Sequence, residues 1–178
     1  SATLTVGGWS MTQPFELLRD PRVTTSDADL AEQFDLLITI RDKLSQIATA
    51  VNTIRTLKRQ LDDWATRLAD DAAAAAAIAS AAALVAQLDA IESELVQREF
   101  TSDGDTLNYR EMLFEKLSAL PPVVGSADAR PTTQSYAVYD KLAGQTDAHL
   151  GTLATLIEGD LAPVNRQLAE LGVSIVGV

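Results

Sequence analysis

The stretch 26-SDADLAEQFDLLITIRDKLSQIATAVNTIRTLKRQLDDWATRLA-69 decides the fold. Its apolar residues recur as Leu30, Phe34, Leu37, Leu44, Ile47, Val51, Ile54, Leu57, Leu61, Trp64 and Leu68, in steps of three and four with one of seven. That spacing keeps one face of an α-helix apolar. Ser26 offers its hydroxyl to the amide of Asp29, whose carboxylate can answer, so the helix starts near Asp27. Running to Ala69, it is about 64 Å long at 1.5 Å per residue. A helix this long draws most of its stability from burying its stripe, so the remaining chain must supply partner helices. Its opposite face carries Asp42, Lys43, Arg55, Lys58, Arg59, Asp62 and Asp63 and reads as a solvated surface.

After this helix come Asp70-Asp71 and then Ala72 to Ala77. Two acids suit a helix N-terminus, and alanine lets two helices approach closely, so a tight reversal is expected at 69–71. The rival is one unbroken helix over 27–99, about 110 Å long, whose stripe other chains would cover. The second helix continues through Leu84, Leu88, Ile91, Leu95 and Val96 to about Glu99. Thr101 to Thr106 is a polar loop, and Asn108 with Glu111 forms a capping box opening a shorter helix through Leu113, Phe114, Leu117 and Leu120. Pro121-Pro122 ends or kinks that helix. Thr132 or Thr133 caps a last long helix, with a bend expected between Gly159 and Pro163 and an end at Gly172.

Upstream of the first helix, Thr3-Leu4-Thr5-Val6, Gly7-Gly8 and the run from Trp9 read as a β-hairpin, with Trp9 and Phe15 as docking residues. Two strands bury too little to stand alone, so the hairpin leans on the bundle or completes a sheet lying upstream. The expected organisation is a hairpin and linker over 1–23, a helical bundle over 24–172 and an extended tail over 173–178. The fold class is mainly α, an antiparallel up-down-up-down bundle in which the tail adds a strand beside the hairpin. A three-helix alternative stacks the second and third segments end to end and carries the C-terminus to the far end.

The 178 residues suit one main core, and with 47% apolar and only 5% aromatic residues that core is built from aliphatic side chains and alanine. A formal charge of -11 repels phosphate backbones, which argues against nucleic acid as a partner. There is no cysteine, hence no disulfide, thiol nucleophile or thiolate metal site. The uncharged run from Ala72 to Leu88 is mostly alanine and reads as a soluble helix, without membrane insertion. Ser1 to Val6 has neither a basic nor an apolar leader pattern, and the chain reads as part of something longer.

No stretch announces chemistry. His149 is the only histidine, in Asp147-Ala148-His149, and lacks the Glu-x-x-His pairing of dimetal bundles. Asp70, Asp71, Asp89, Glu92 and Glu94 read as solvating carboxylates on helix ends and outward faces. Ser102-Asp103-Gly104-Asp105-Thr106 partly matches a calcium loop but lacks the terminal Glu at the required spacing. Gly7-Gly8 leads into a strand and so cannot cradle a phosphate at a helix N-terminus. No catalytic, cofactor-binding or metal-binding residue is expected, and no cofactor.

Several segments together carry a likeness: Gln13-Pro14-Phe15, Asp20-Pro21-Arg22-Val23, Asp29-Leu30, Gln33-Phe34, Arg41-Asp42-Lys43-Leu44, Asn52-Thr53-Ile54-Arg55, Leu107-Asn108-Tyr109, Lys116-Leu117, Ala127 to Thr132 and Tyr136 to Asp140. The chain resembles the C-terminal region of large bacterial Asp-box (BNR) repeat proteins with sortilin-like or sialidase-like β-propellers, often labelled glycosyl hydrolases. Pro121-Pro122 departs from the helical pattern expected at that point. The chain holds no Ser-x-Asp-x-Gly-x-Thr-Trp box of its own. The resemblance implies an exported parent, a propeller upstream as partner, and a non-catalytic accessory or protein-interaction role for this segment. The competing expectations are a self-associating, coiled-coil-like module, and a helical part of a hydrolase whose active site lies in the propeller.

Overall fold

The computed structural model describes residues 1–174 and 176–177. Strands β1 (Ala2–Val6) and β2 (Trp9–Gln13) form the expected antiparallel hairpin. Gly7 sits at φ +58°, which a two-residue loop joining right-twisted strands requires. Helix α1 spans Asp27–Arg67, with the Ser26 hydroxyl accepting from the Asp29 amide at 3.1 Å. The chain reverses over 68–71, where Asp71 caps a short 3-10 turn (Ala72–Ala74) by accepting from the Ala73 amide. Helix α2 (Ala75–Leu95) then packs back on α1, so the reversal forms and the unbroken helix does not.

Downstream lie a 3-10 turn (Asp103–Leu107), α3 (Leu113–Ser118), α4 (Leu120–Val124) and α5 (Thr133–Thr155). A π-helical turn (Leu156–Asp160) and α6 (Leu161–Glu170) complete the order. The mainly helical antiparallel bundle with an N-terminal hairpin is therefore present. Its path follows the end-to-end alternative. Pairs Arg55–Glu92 and Lys58–Asp89 set α2 against the second half of α1, whereas Gln33 near the start of α1 donates to the carbonyls of Val124 and Ala127. Helices α2, α3 and α4 thus form one segmented rod beside α1, and α5 with α6 returns as the third.

Several boundaries differ from the sequence reading. Helix α2 stops at Leu95 rather than near Glu99, because Glu115 accepts from the Gln97 amide and the Gln97 side chain donates to Arg110 O. The same Glu115 accepts from the Met112 amide at 3.0 Å, so α3 begins at Leu113 and the Asn108–Glu111 box does not form. Pro121 and Pro122 fall in the first turn of α4, where missing amides cost nothing, and the rod breaks at Ala119 instead. The expected disturbance before Pro163 is a π-helical turn, in which the Leu161 N–H reaches the Leu156 carbonyl five residues back. Gly172, at φ +73°, closes α6 in a Schellman arrangement, with Val173 N–H on Leu168 O and Gly172 N–H on Ala169 O.

The core runs along the three rods through Ile40, Ile47, Ile54, Leu57 and Leu61 of α1, Leu88, Leu95 and Leu117 of the second rod, and Leu153, Leu161 and Leu168 of the third, each buried. In the first third of α1 the buried face is Gln33, Leu36 and Ile40, and Phe34 is left 62% exposed. Phe34 therefore drops out of the stripe, since the side facing α4 carries the Gln33 amide. The tail does not join the hairpin. Val176 is buried at the opposite end, its N–H and C=O both held by the Asn165 side chain at 2.7 and 2.9 Å. Gly177 is held likewise by Gln60 at 3.0 and 2.7 Å. Ile175 and Val178 of the expected strand lie outside the described residues.

Candidate interaction surfaces

The expected solvated face of α1 is partly internal. Glu92 of α2 is only 3% exposed, accepting from Arg55 at 2.6 Å and from Lys58 at 3.1 Å, while Lys58 also reaches Asp89 and Arg98 pairs with Asp89 at 2.8 Å. Lys43, largely covered, pairs with Asp147 of α5 at 2.6 Å. Lys43, Lys58 and Glu92 are thus seam residues rather than outward solvating ones, while Arg55 stays 56% exposed and reaches the seam only through its pair with Glu92. Positions 55 and 58 flank the buried residues 54 and 57, the flanking places where helices exchange ion pairs, and Asp89 and Glu92 are three apart to match. Burial alone would raise the Glu92 pKa, but the hydrogen bonds from Arg55 and Lys58 outweigh it and hold the carboxyl below its ordinary value. The Lys58 hydrogen bond depresses Asp89 in the same way.

The other singled-out groups are used locally. Asp105 accepts from the amides of Thr101 (2.6 Å) and Ser102 (2.8 Å), which lowers its pKa and closes the calcium-like loop on its own backbone. Asp71 caps a turn, and Asp70 and Glu94 are exposed. His149, half-buried on α5, lines a small depression with Glu94 and Arg110. Among the described residues no three His, Asp or Glu side chains are grouped to hold a metal ion. Helix α2, with its 3-10 turn, is long and apolar enough to cross a membrane by length and composition, and its inner face (Ala77, Ala81, Leu84, Leu88, Ile91) is buried in the bundle.

Two surfaces stand out. The first is the hairpin, where Leu4 pairs with Met11 and Val6 with Trp9, so these four share one face while Thr3, Thr5, Ser10 and Thr12 share the other. Hydroxyl pairs Thr3–Thr12 (2.8 Å) and Thr5–Ser10 (3.3 Å) tie the polar face together. Every strand residue is exposed, Trp9 at 53%, and Phe15 just beyond is 57% exposed. The expected docking of Trp9 and Phe15 on the bundle is not made, since both side chains are exposed, and the linker's own contacts begin only after them, with Arg19 on Thr25 O (2.8 Å) and Asp27.

The second surface is a furrow along the outer seam between α3–α4 and α5. It consists of depressions of about 210, 560 and 230 Å³, the first two sharing Lys116 and Gln145 and the last two sharing Val123. No α1 residue lines it. Leu113, Leu120 and Leu142 contribute to its apolar lining, and Val138 is an exposed apolar residue on its α5 side. Arg110, Lys116 and Lys141 border it, and none makes an ion pair among the described residues. The furrow was not legible in the sequence, since its walls come from segments far apart in the chain. No known protein family, curated protein or solved structure matches this chain.

Proposed function

We propose that this chain is a non-catalytic accessory module that attaches to a larger β-rich body through its hairpin and holds a rigid helical bundle away from it. The supporting observation is the amphipathic hairpin, with Leu4, Val6, Trp9 and Met11 uncovered on one face. An isolated two-stranded sheet is marginal in water, and three or more strands with a buried apolar face are needed for stability. Covering such a face contributes about 1.5–3 kcal/mol for each fully buried Val, Leu or Met. The likeness of Asp20-Pro21-Arg22-Val23 and the downstream segments to Asp-box proteins favours an upstream propeller of an exported bacterial parent as that body.

The test begins with the reading frame immediately upstream, where Asp-box repeats are expected. The encoded propeller, expressed separately, is then titrated with this chain by calorimetry. Binding that is lost with Leu4→Ser or Trp9→Ser, while bundle helicity is unchanged, is the expected result. An upstream frame without such repeats, or binding indifferent to both substitutions, overturns the reading.

A further inference from the structure

We infer that the larger body pairs one of its β-strands with the outer edge of β1 and leaves the outer edge of β2 free, an inference that rests on attachment through the hairpin and names the edge that makes it. Val6 and Trp9 close a two-residue loop, so they form the first hydrogen-bonded pair of the hairpin, and such pairs alternate along an antiparallel ladder. Leu4–Met11 and Ala2–Gln13 are then bonded inward. Thr3–Thr12 and Thr5–Ser10 are the non-hydrogen-bonded pairs, whose side chains lie closer together, and their hydroxyls do meet, at 2.8 and 3.3 Å. Thr3 and Thr5 on β1, like Ser10 and Thr12 on β2, therefore turn their N–H and C=O groups outward.

The two edges are not equivalent. Pro14 directly follows β2, and by the same alternation its nitrogen falls at the next outward position, where it offers no N–H and its ring meets any approaching carbonyl. Proline is one of the devices that close a sheet edge to pairing, along with charged side chains and bulges. The edge of β1 carries none of them. Ala2–Val6 is uncharged, free of proline and in continuous register, in a chain of net charge -11 whose first charged side chain is Glu16. The apolar face is also most open on this side, with Leu4 and Val6 60% and 63% exposed against 53% and 46% for Trp9 and Met11. A strand laid beside β1 sets its side chains against Leu4 and Val6 and brings the sheet to the three strands that stability needs. A second copy paired edge to edge would only join two bare apolar faces into a larger one, whereas the strand of a larger body comes with a core to cover them.

Calorimetric titration of the separately expressed upstream propeller with matched proline variants of the full chain tests the edge. Thr3→Pro and Thr12→Pro remove the same hydroxyl contact and differ in which edge loses an outward N–H. Thr3→Pro should weaken binding by at least about tenfold, the effect of one lost hydrogen bond whose partner stays buried. Thr12→Pro should stay within about twofold of the unsubstituted chain. Hydrogen exchange on the unsubstituted complex gives a second reading, which decides the case if proline on either strand disrupts the hairpin itself. There the Thr3 and Thr5 amides should gain protection, while those of Ser10 and Thr12 exchange as in the free chain. Protection on β2 instead, or on neither edge, overturns the inference, as does a species of twice 19.0 kDa that Thr3→Pro dissociates, which would give the edge to a second copy. If Leu4→Ser abolishes binding in those cases, attachment through the hairpin still stands. An unsubstituted chain that does not bind the propeller overturns both.

Discussion

Replacing Glu92 by glutamine tests what holds α2 in register on α1. The side chain keeps its shape but loses the charge that Arg55 and Lys58 share, at 2.6 and 3.1 Å, in a site only 3% exposed. Removing one partner of a fully buried pair costs about 3–5 kcal/mol. Here the figure is smaller, because Arg55 is 56% exposed and regains water, and Lys58 keeps Asp89. A loss of about 1–2 kcal/mol is expected, around the lower end of what a hydrogen bond to a charged group contributes. With a urea slope of about 2 kcal/mol/M, the midpoint falls by about 0.5–1 M, read by circular dichroism at neutral pH. The pH dependence has a definite sign. Folding depresses the pKa of Glu92 and Asp89, so their contribution is full above the ordinary carboxylate range, about pH 4–5, and is lost as pH falls through the depressed folded values. The substituted amide does not titrate, so the gap between the two proteins should narrow in acid. A variant within about 0.3 kcal/mol of the parent at pH 7, or a gap that stays constant down to pH 3, would refute the placement of this carboxylate in the seam.

Leu117→Ala, at a fully buried position of α3, should cost about 2–5 kcal/mol in the same urea titration. Asn165→Ala should release the tail and abolish hydrogen-exchange protection at the Val176 amide, at a cost of about 1 kcal/mol, while α1 and α2 keep theirs. Gly172→Ala forces an L side chain into the left-handed region and should lower stability by about 1 kcal/mol. Arg41→Ala, which removes an exposed pair with Asp42, should stay within about 0.5 kcal/mol of the parent and serves as the control for the Glu92 experiment.

Helix α1, its Ser26 cap, the reversal before Ala72, a threonine cap at 132 or 133 and the Gly172 stop were all legible, because each depends on residues within a few positions of one another. The misread boundaries share a different cause. Glu115 closes both the end of α2 and the start of α3 by accepting from amides 18 and three residues away, and no local window contains both. Gln33 likewise replaces Phe34 inside the bundle because its amide meets carbonyls about ninety residues further on. Of the candidate surfaces, the hairpin was visible as a pattern, whereas its lack of contact with the bundle was not. The furrow left no trace in the linear chain.

By itself the sequence determined that this protein is built from amphipathic helices, where the long ones, α1, α2 and α5, begin, and that an apolar-faced hairpin precedes them. Apolar periodicity, caps and glycines act over one or two turns, and that range suffices for such decisions. Only the tertiary structure decided that α2 to α4 form one rod, that Glu92 is buried in the seam where Arg55 and Lys58 reach it, and that the tail is gripped by Gln60 and Asn165 at the far end. Those outcomes depend on the register between rods, which is set by side chains meeting across tens of residues of chain.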